Sequence, residues 1–184
     1  MSRLVVLAGP TAVGKGTVVR ALRAMAPEVY VSISATTREP RPGETDGVDY
    51  HFLDADDFTR RVEAGEFLEW AVVHGVNRYG TLRGPVDECL ASGRPCLLEI
   101  DLQGARQVKE TMPDAHFVFL APPSWEELVD RLVGRGTEGE EERERRLATA
   151  REEMAAAGEF DQTIIPDTVE RAAAELLSVV RATG

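Results

Sequence analysis

Apolar residues fall along this chain in two rhythms. Leu4 to Ala8, Pro95 to Ile100 and His116 to Leu120 are short runs without apolar–polar alternation, the pattern of parallel strands covered on both faces. Between them, Val18, Val19, Leu22 and Met25 recur at helical spacing, which predicts a helix from about Gly14 to Ala26, ended by Pro27. Further helices are expected over Val86 to Ala91 and Gly104 to Glu110. Another should follow Ser124-Trp125-Glu126-Glu127, a capping box with Leu128 and Leu132 on one face beyond it. Gly134-Arg135-Gly136 ends that helix, and an acidic run grading into Arg143, Arg145 and Arg146 opens one that reaches about Ala157. A short strand over Thr163 to Ile165 and an amphipathic helix marked by Val169, Ala173, Leu176 and Val180 close the chain. Strands alternating with helices predict an α/β fold around a parallel sheet.

The stretch from Val29 to about Arg83 breaks this rhythm. Val29 to Ile33 and Tyr50 to Leu53 read as strands, Asp56 to Ala64 as a short helix, and Arg38 to Gly47 as a loop rich in Pro, Gly and charge. It reads as an inserted, mobile lobe within one domain.

The first strand runs straight into Gly9, Pro10, Thr11, Ala12, Val13, Gly14, Lys15, Gly16 and Thr17. Glycines let the amides of such a turn face phosphate oxygens, the following helix offers its positive end, and Lys15 can reach a transferable phosphate. A nucleoside triphosphate is the expected ligand. The commoner loop has Ser or Thr directly after the lysine, as a magnesium ligand; here Gly16 stands there and Thr17 follows. That ending resembles the adenylate kinase form of the loop, in which the metal leans more on water and on the phosphates.

Charge narrows the partners. Lys plus Arg number 21 and Asp plus Glu 32, a net −11 that disfavours general nucleic-acid or anionic-membrane binding. Phosphate binding must then rest on local arginines. Cys89 and Cys96 form no disulfide framework, His51, His74 and His116 form no catalytic set, and no apolar run approaches a membrane span. The loop starts at Gly9, which leaves no room ahead of it for a targeting peptide, so a soluble, cytoplasmic protein is expected.

Two further segments carry chemistry. Leu97-Leu98-Glu99-Ile100-Asp101 ends an apolar strand in carboxylates on the ligand side of a parallel sheet, making Asp101 the candidate for orienting magnesium, with capping of the next turn as its plainer role. Ser32 to Glu44 sets Arg38 and Arg41 three apart among hydroxyls and prolines, and forked guanidiniums bind phosphate oxygens in pairs.

That arginine loop, followed by Gly47-Val48-Asp49-Tyr50, resembles the signature of guanylate kinases. Gly65 to Ala71, Tyr79-Gly80-Thr81, Asp101-Leu102-Gln103-Gly104-Ala105, Phe119 to Ser124 and Gly134 to Glu138 follow the family in the same order. The resemblance implies a phosphate-loop nucleoside monophosphate kinase fold, turning ATP and GMP into ADP and GDP with Mg2+, within purine nucleotide metabolism. It implies that Ser34, Glu69 and Thr81 read guanine while Arg38, Arg41, Tyr50 and Tyr79 hold the GMP phosphate, with Asp101 beside them. Arg131, Arg135 and Arg146 would swing over the ATP phosphates from a lid, and Thr17 and Asp101 would serve the metal, if need be through water. Lys15, Arg38, Arg131, Arg135 and Arg146 are thus the expected catalytic set. The single domain, 1–184, would divide into a core at about 1–32, 84–133 and 158–184, a GMP-binding lobe at about 33–83 and a lid at about 134–157. A carboxylate at position 69 suits guanine independently, because the base offers a ring N–H and an exocyclic amine together. Arg145 and Arg146 equally fit a salt-bridged helix face, with Glu141 and Glu142 four residues before them. Pro166 departs from the family, which commonly has an asparagine there to contact adenine.

Overall fold

The computed structural model describes residues 3–73, 75–133 and 139–183. Its centre is a five-stranded parallel sheet of β1 (Leu4–Ala8), β2 (Tyr30–Val31), β7 (Cys96–Glu99), β8 (His116–Leu120) and β9 (Gln162–Ile164), in the order β2-β7-β1-β8-β9. Every residue of β1 is buried, as a central strand without alternation requires. Its successive side chains go to opposite faces. Val5 and Leu7 join Val18, Val19 and Leu22 of α1 (Lys15–Met25) and Leu176 and Val180 of α7 (Val169–Ala182). Leu4, Val6 and Ala8 join Val86 and Cys89 of α3 (Arg83–Ala91) and Ala105 and Val108 of α4 (Leu102–Thr111).

The inserted segment builds a second sheet from β3 (Ser34–Thr36), β4 (His51–Phe52), β5 (Phe67–Val73) and β6 (Asn77–Leu82), in the order β4-β3-β6-β5. β6 pairs antiparallel with both β3 and β5, and β3 pairs parallel with β4. Its core is small: Phe58 of α2 (Ala55–Glu63) stacks on Phe67 at 4.5 Å, beside Ala35. α2 starts where Asp54 accepts a hydrogen bond from the Asp57 N–H at 2.7 Å. The edge strand β5 is tied to α4. Gln107 acts as an extra strand residue, its amide accepting from Trp70 N at 3.1 Å and donating to Trp70 O at 3.0 Å.

α5 (Trp125–Val133) and α6 (Glu140–Ala155) pack through Leu128, Leu132 and Ala150. Ser124 forms its half of the capping box, its hydroxyl accepting from Glu127 N at 3.2 Å. The strand expected over Val29 to Ile33 shrinks to Tyr30–Val31, which lies at the sheet edge and pairs with β7 alone. β3 and β6 had no apolar signature because they are rich in Ser, Thr, Asn, Arg and Tyr, whereas their neighbour β5 is apolar at every position but Glu69. Among the described residues no helix is long and apolar enough to cross a membrane.

Candidate active site

Between β1 and α1 the chain wraps a tight loop. A Cβ at Gly9 would lie 2.4 Å from the Leu120 carbonyl oxygen, so the loop can sit this close to β8 only as glycine. Gly14, at φ 100° and ψ 26°, turns the chain left-handed into α1, and its carbonyl accepts from Thr17 N and Val18 N at 3.1 Å. Ala12 also lies in the left-handed region, at φ 67°, a conformation that costs an L residue about 1–3 kcal/mol and tends to persist where function holds it. Lys15 folds back over the loop, its Nζ donating to Gly9 O at 2.7 Å and Pro10 O at 3.3 Å. Burial pulls its ammonium below the ordinary lysine value, and the carboxylates of Glu153, Glu99 and Asp101, in that order, oppose the loss of charge.

Those carboxylates are spread round the loop. Asp101 is the N-cap of α4, accepting from Gly104 N at 2.6 Å, so the plainer role expected of it is realised. Glu99, the last residue of β7, lies on the loop side: a Cβ at Gly16 would sit 3.5 Å from its Oε1. Burial raises the Glu99 carboxyl, while Lys15 and Arg20 pull it back. Glu153, from α6, accepts from Thr11 N at 2.9 Å and from the Thr11 hydroxyl at 3.3 Å. The Thr11 amide is thereby spent on a protein carboxylate.

Across the second sheet, register brings three expected residues into one row. Ser34 on β3 pairs with Thr81 on β6, and Thr81 pairs with Glu69 on β5. Glu69 is only 8% exposed, and its Oε1 accepts from the Thr81 hydroxyl at 2.7 Å. Burial pushes its carboxyl up to about 7 against the pull of Thr81, with the Asp101 charge adding to the rise. Gly104 makes this approach possible: a Cβ there would be 3.0 Å from Glu69 Oε2 and 3.1 Å from Asp101 Oδ1.

Arg38 lies beside this row in an aromatic slot, its guanidinium 5.3 Å from the centre of the Tyr50 ring and 5.9 Å from that of Phe52. Tyr50 and Tyr79 meet edge-on at 6.0 Å. Glu44 grips Arg38 through both oxygens at 2.8 and 2.9 Å and also accepts from Arg41 N at 2.7 Å. Its hydrogen bonds, and after them one to Tyr79, raise the Arg38 value further. The Arg41 side chain stands exposed at the rim.

Two cavities of similar size flank the start of α1. One, of about 570 Å3, lies among Val13, Gly14, Thr17, Arg131 and Pro166; the other, of about 520 Å3, among Gly16, Arg20, Ser34, Tyr50 and Glu99. Arg131 reaches the loop, donating to Val13 O at 3.0 Å. Arg146 and Arg145 both pair with Glu142, at 3.5 and 2.8 Å, so the salt-bridged helix face also forms. Arg135 lies outside the described residues, as does His74.

A strand, phosphate-type loop and helix with a second sheet inserted beside them narrow the relatives to nucleotide kinases. The guanylate kinase family profile matches residues 1–183. The chain belongs to the guanylate kinase family. A guanylate kinase of Bifidobacterium longum is 62% identical over 97% of this chain and 93% of its own length. One from Thermobifida fusca is 60% identical over 98% and 91%. The crystal structure of guanylate kinase from Anaplasma phagocytophilum superposes with a TM-score of 0.74 at 31% identity, covering 98% of this chain and 85% of that one. In this guanylate kinase fold, three carboxylates that had no assigned role touch the expected site: Glu44, Glu99 and Glu153. Only Glu99 left a signal in the sequence, as a carboxylate at the end of the apolar run Leu97-Leu98. Glu44 and Glu153 find their partners only through a loop and a tertiary contact.

Proposed function

We infer that this chain transfers the terminal phosphoryl group of ATP to GMP, giving ADP and GDP. The observation that carries the reading is the pair of cavities that flank the start of α1, the helix that Lys15 opens: one lined by Gly14, Thr17 and Arg131, the other by Gly16, Ser34 and Tyr50. A donor nucleotide in the first and an acceptor in the second would meet at the lysine.

In this reading Gly9 to Thr17 bind ATP, with Lys15 aimed at the transferred group. Ser34, Thr81 and Glu69 read guanine, and Arg38, Arg41, Tyr50 and Tyr79 hold the acceptor phosphate. GMP phosphate would take the place of the Glu44 carboxylate on Arg38, exchanging one bidentate anion for another. Arg131, Arg135 and Arg146 would neutralise charge on the moving phosphoryl group. Residues 33–83 would serve as the acceptor lobe and 134–157 as the lid, and their closure excludes water that would otherwise hydrolyse ATP.

A kinase of this class takes a divalent metal with ATP, and we assign Mg2+. Among the described residues no three His, Cys, Asp or Glu side chains gather as a cage. That arrangement fits Mg2+, which is usually held by one or two carboxylates, water and the substrate phosphates. Glu99, facing Gly16, and Asp101 are the carboxylates in reach, with the Thr17 hydroxyl nearby. When bound, the ion would neutralise charge on the β- and γ-phosphates. The net charge of −11 favours small nucleotides over nucleic acid as partners, and the free thiols of Cys89 and Cys96 fit a reducing compartment such as the cytoplasm.

A coupled assay of ADP release with GMP, AMP, CMP and UMP tests the assignment. GMP alone should support rapid release; equal rates with AMP would refute it.

A further inference from the structure

Glu153 is a buried acid on a helix whose neighbours are mostly solvated. It is 8% exposed, and both its oxygens are committed to Thr11, one to the amide and one to the hydroxyl. Arg131 holds the same loop from α5 by donating to Val13 O. The phosphate loop is therefore gripped twice, by an anion on an N–H and by a cation on a carbonyl.

The sequence of α6 gives this grip a direction. Arg146 precedes Glu153 by seven residues, within about 20° of two whole turns, so the two share a helix face. Ala150, fully buried against Leu128 and Leu132, lies between them on that face. Leu147 and Met154 join Ala150 in packing α6 against α5, and the Arg151 guanidinium lies 5.5 Å from the Trp125 ring, but these contacts hold α6 to α5 and not to the phosphate loop. The two hydrogen bonds that Thr11 donates to the Glu153 carboxylate set α6 against the loop itself.

We propose that Glu153 is a positioning residue for phosphoryl transfer: by accepting both Thr11 donors it sets the rotation of α6 against the phosphate loop and so aims Arg146 at the transferred phosphate. The proposal rests on reading Arg146 as a phosphate arginine. It makes the C-terminal end of α6 the pivot about which the rest of that helix closes.

Four single variants and one double variant test it, with kcat, the single-turnover transfer rate, KM for GMP and thermal unfolding measured on each. Glu153→Gln keeps an oxygen for Thr11 N and an amine for the Thr11 hydroxyl, so kcat should stay near that of the unchanged protein. Glu153→Asp keeps the charge but withdraws it by one methylene, and Glu153→Ala removes the group. Both should lose kcat by up to about 100-fold, the scale for misplacing a catalytic group by an ångström, with KM for GMP little changed. Arg146→Met should show a similar loss. Adding Glu153→Ala to it should cost nothing further, because residues acting as one unit are not additive. A lowered unfolding temperature with unchanged kcat in Glu153→Ala would make Glu153 merely structural and overturn the proposal. So would Gln losing activity while Asp keeps it, which would mean that charge and not placement matters. A silent Arg146→Met removes the arginine reading and this proposal with it. Losses that multiply in the double variant leave the arginine reading standing and remove only the coupling.

Discussion

The two regions proposed to bind phosphate are built by opposite means. On the donor side the chain uses backbone: a glycine pressed onto β8, a left-handed turn at Gly14 and the first amides of α1. On the acceptor side it uses side chains carried on strands of two to seven residues, with Arg38 braced by Tyr50 and Phe52. Backbone binding is rigid and indifferent to the base attached to the phosphate. Side-chain binding can be shaped to one base, at the cost of ordering long, flexible groups. Catalytic power should therefore be lost first from the donor side and selectivity first from the acceptor side.

The largest effect expected is on selectivity. A desolvated carboxylate that guanine pairs twice is left unsatisfied when AMP enters, and sites of this kind reject the wrong substrate by about 10⁴-fold or more. Glu69→Gln keeps the shape but turns a donor toward guanine's donors, so GMP efficiency should fall and the GMP to AMP ratio collapse. Measuring kcat/KM for both nucleotides in both proteins decides this; an unchanged ratio means that Glu69 does not read the base.

Next comes Lys15→Met. It should lower kcat by about 10³-fold, the scale of removing one preorganised charge from a transfer site, while GMP binding stays intact. Calorimetric titration with GMP beside a turnover assay checks both halves. Loss of GMP affinity in this variant would erase the division between the two sides.

The same division explains what could be read from the sequence. Gly9, Gly14 and Lys15 are close in the chain because a backbone site is one continuous loop, and the apolar strand ahead of them marks the loop as such. The parallel core was equally legible, since strands buried on both faces are nearly all apolar. The second sheet was not. β3 and β6 carry Ser, Thr, Tyr and Arg instead of an apolar run, and the register aligns Ser34 with Thr81, and Thr81 with Glu69 on β5, from strands far apart in the chain. Only resemblance named them as a group. Glu44 and Glu153 were illegible for the same reason: each takes its meaning from a partner that folding brings to it, Arg38 in one case and Thr11 in the other.

A smaller effect separates the two arginines of the acceptor side. Arg38 is already held in the aromatic slot of Tyr50 and Phe52, whereas the Arg41 side chain is exposed. Arg38→Met should weaken GMP binding by about 10- to 100-fold, as loss of a charge-assisted phosphate contact does, and Arg41→Met by less. Guanosine, which has no phosphate, should bind both variants as it binds the unchanged protein. Equal losses for the two arginines would show that bracing by the aromatic slot contributes nothing.

The smallest effect follows from the protonation of Glu69. Burial holds its carboxyl at about 7 in the free protein, so near neutral pH about half of the molecules carry a proton there. Guanine's two donors pair with the ionised form and must lower that value on binding. Binding then releases a proton and strengthens as pH rises toward 7, levelling off above it; one unit below 7 the affinity should be about tenfold weaker. Stability runs the other way. A carboxyl raised from 4.5 to about 7 by folding favours the folded state fully below 4.5 and loses that contribution as pH climbs to 7. Titrating GMP between pH 6 and pH 8, in buffers of different ionisation enthalpy, counts the protons released. Glu69→Gln serves as the control, because it removes this titration and leaves that of the GMP phosphate itself. A pH dependence that survives in Glu69→Gln would assign the effect to the phosphate and leave Glu69 ionised throughout.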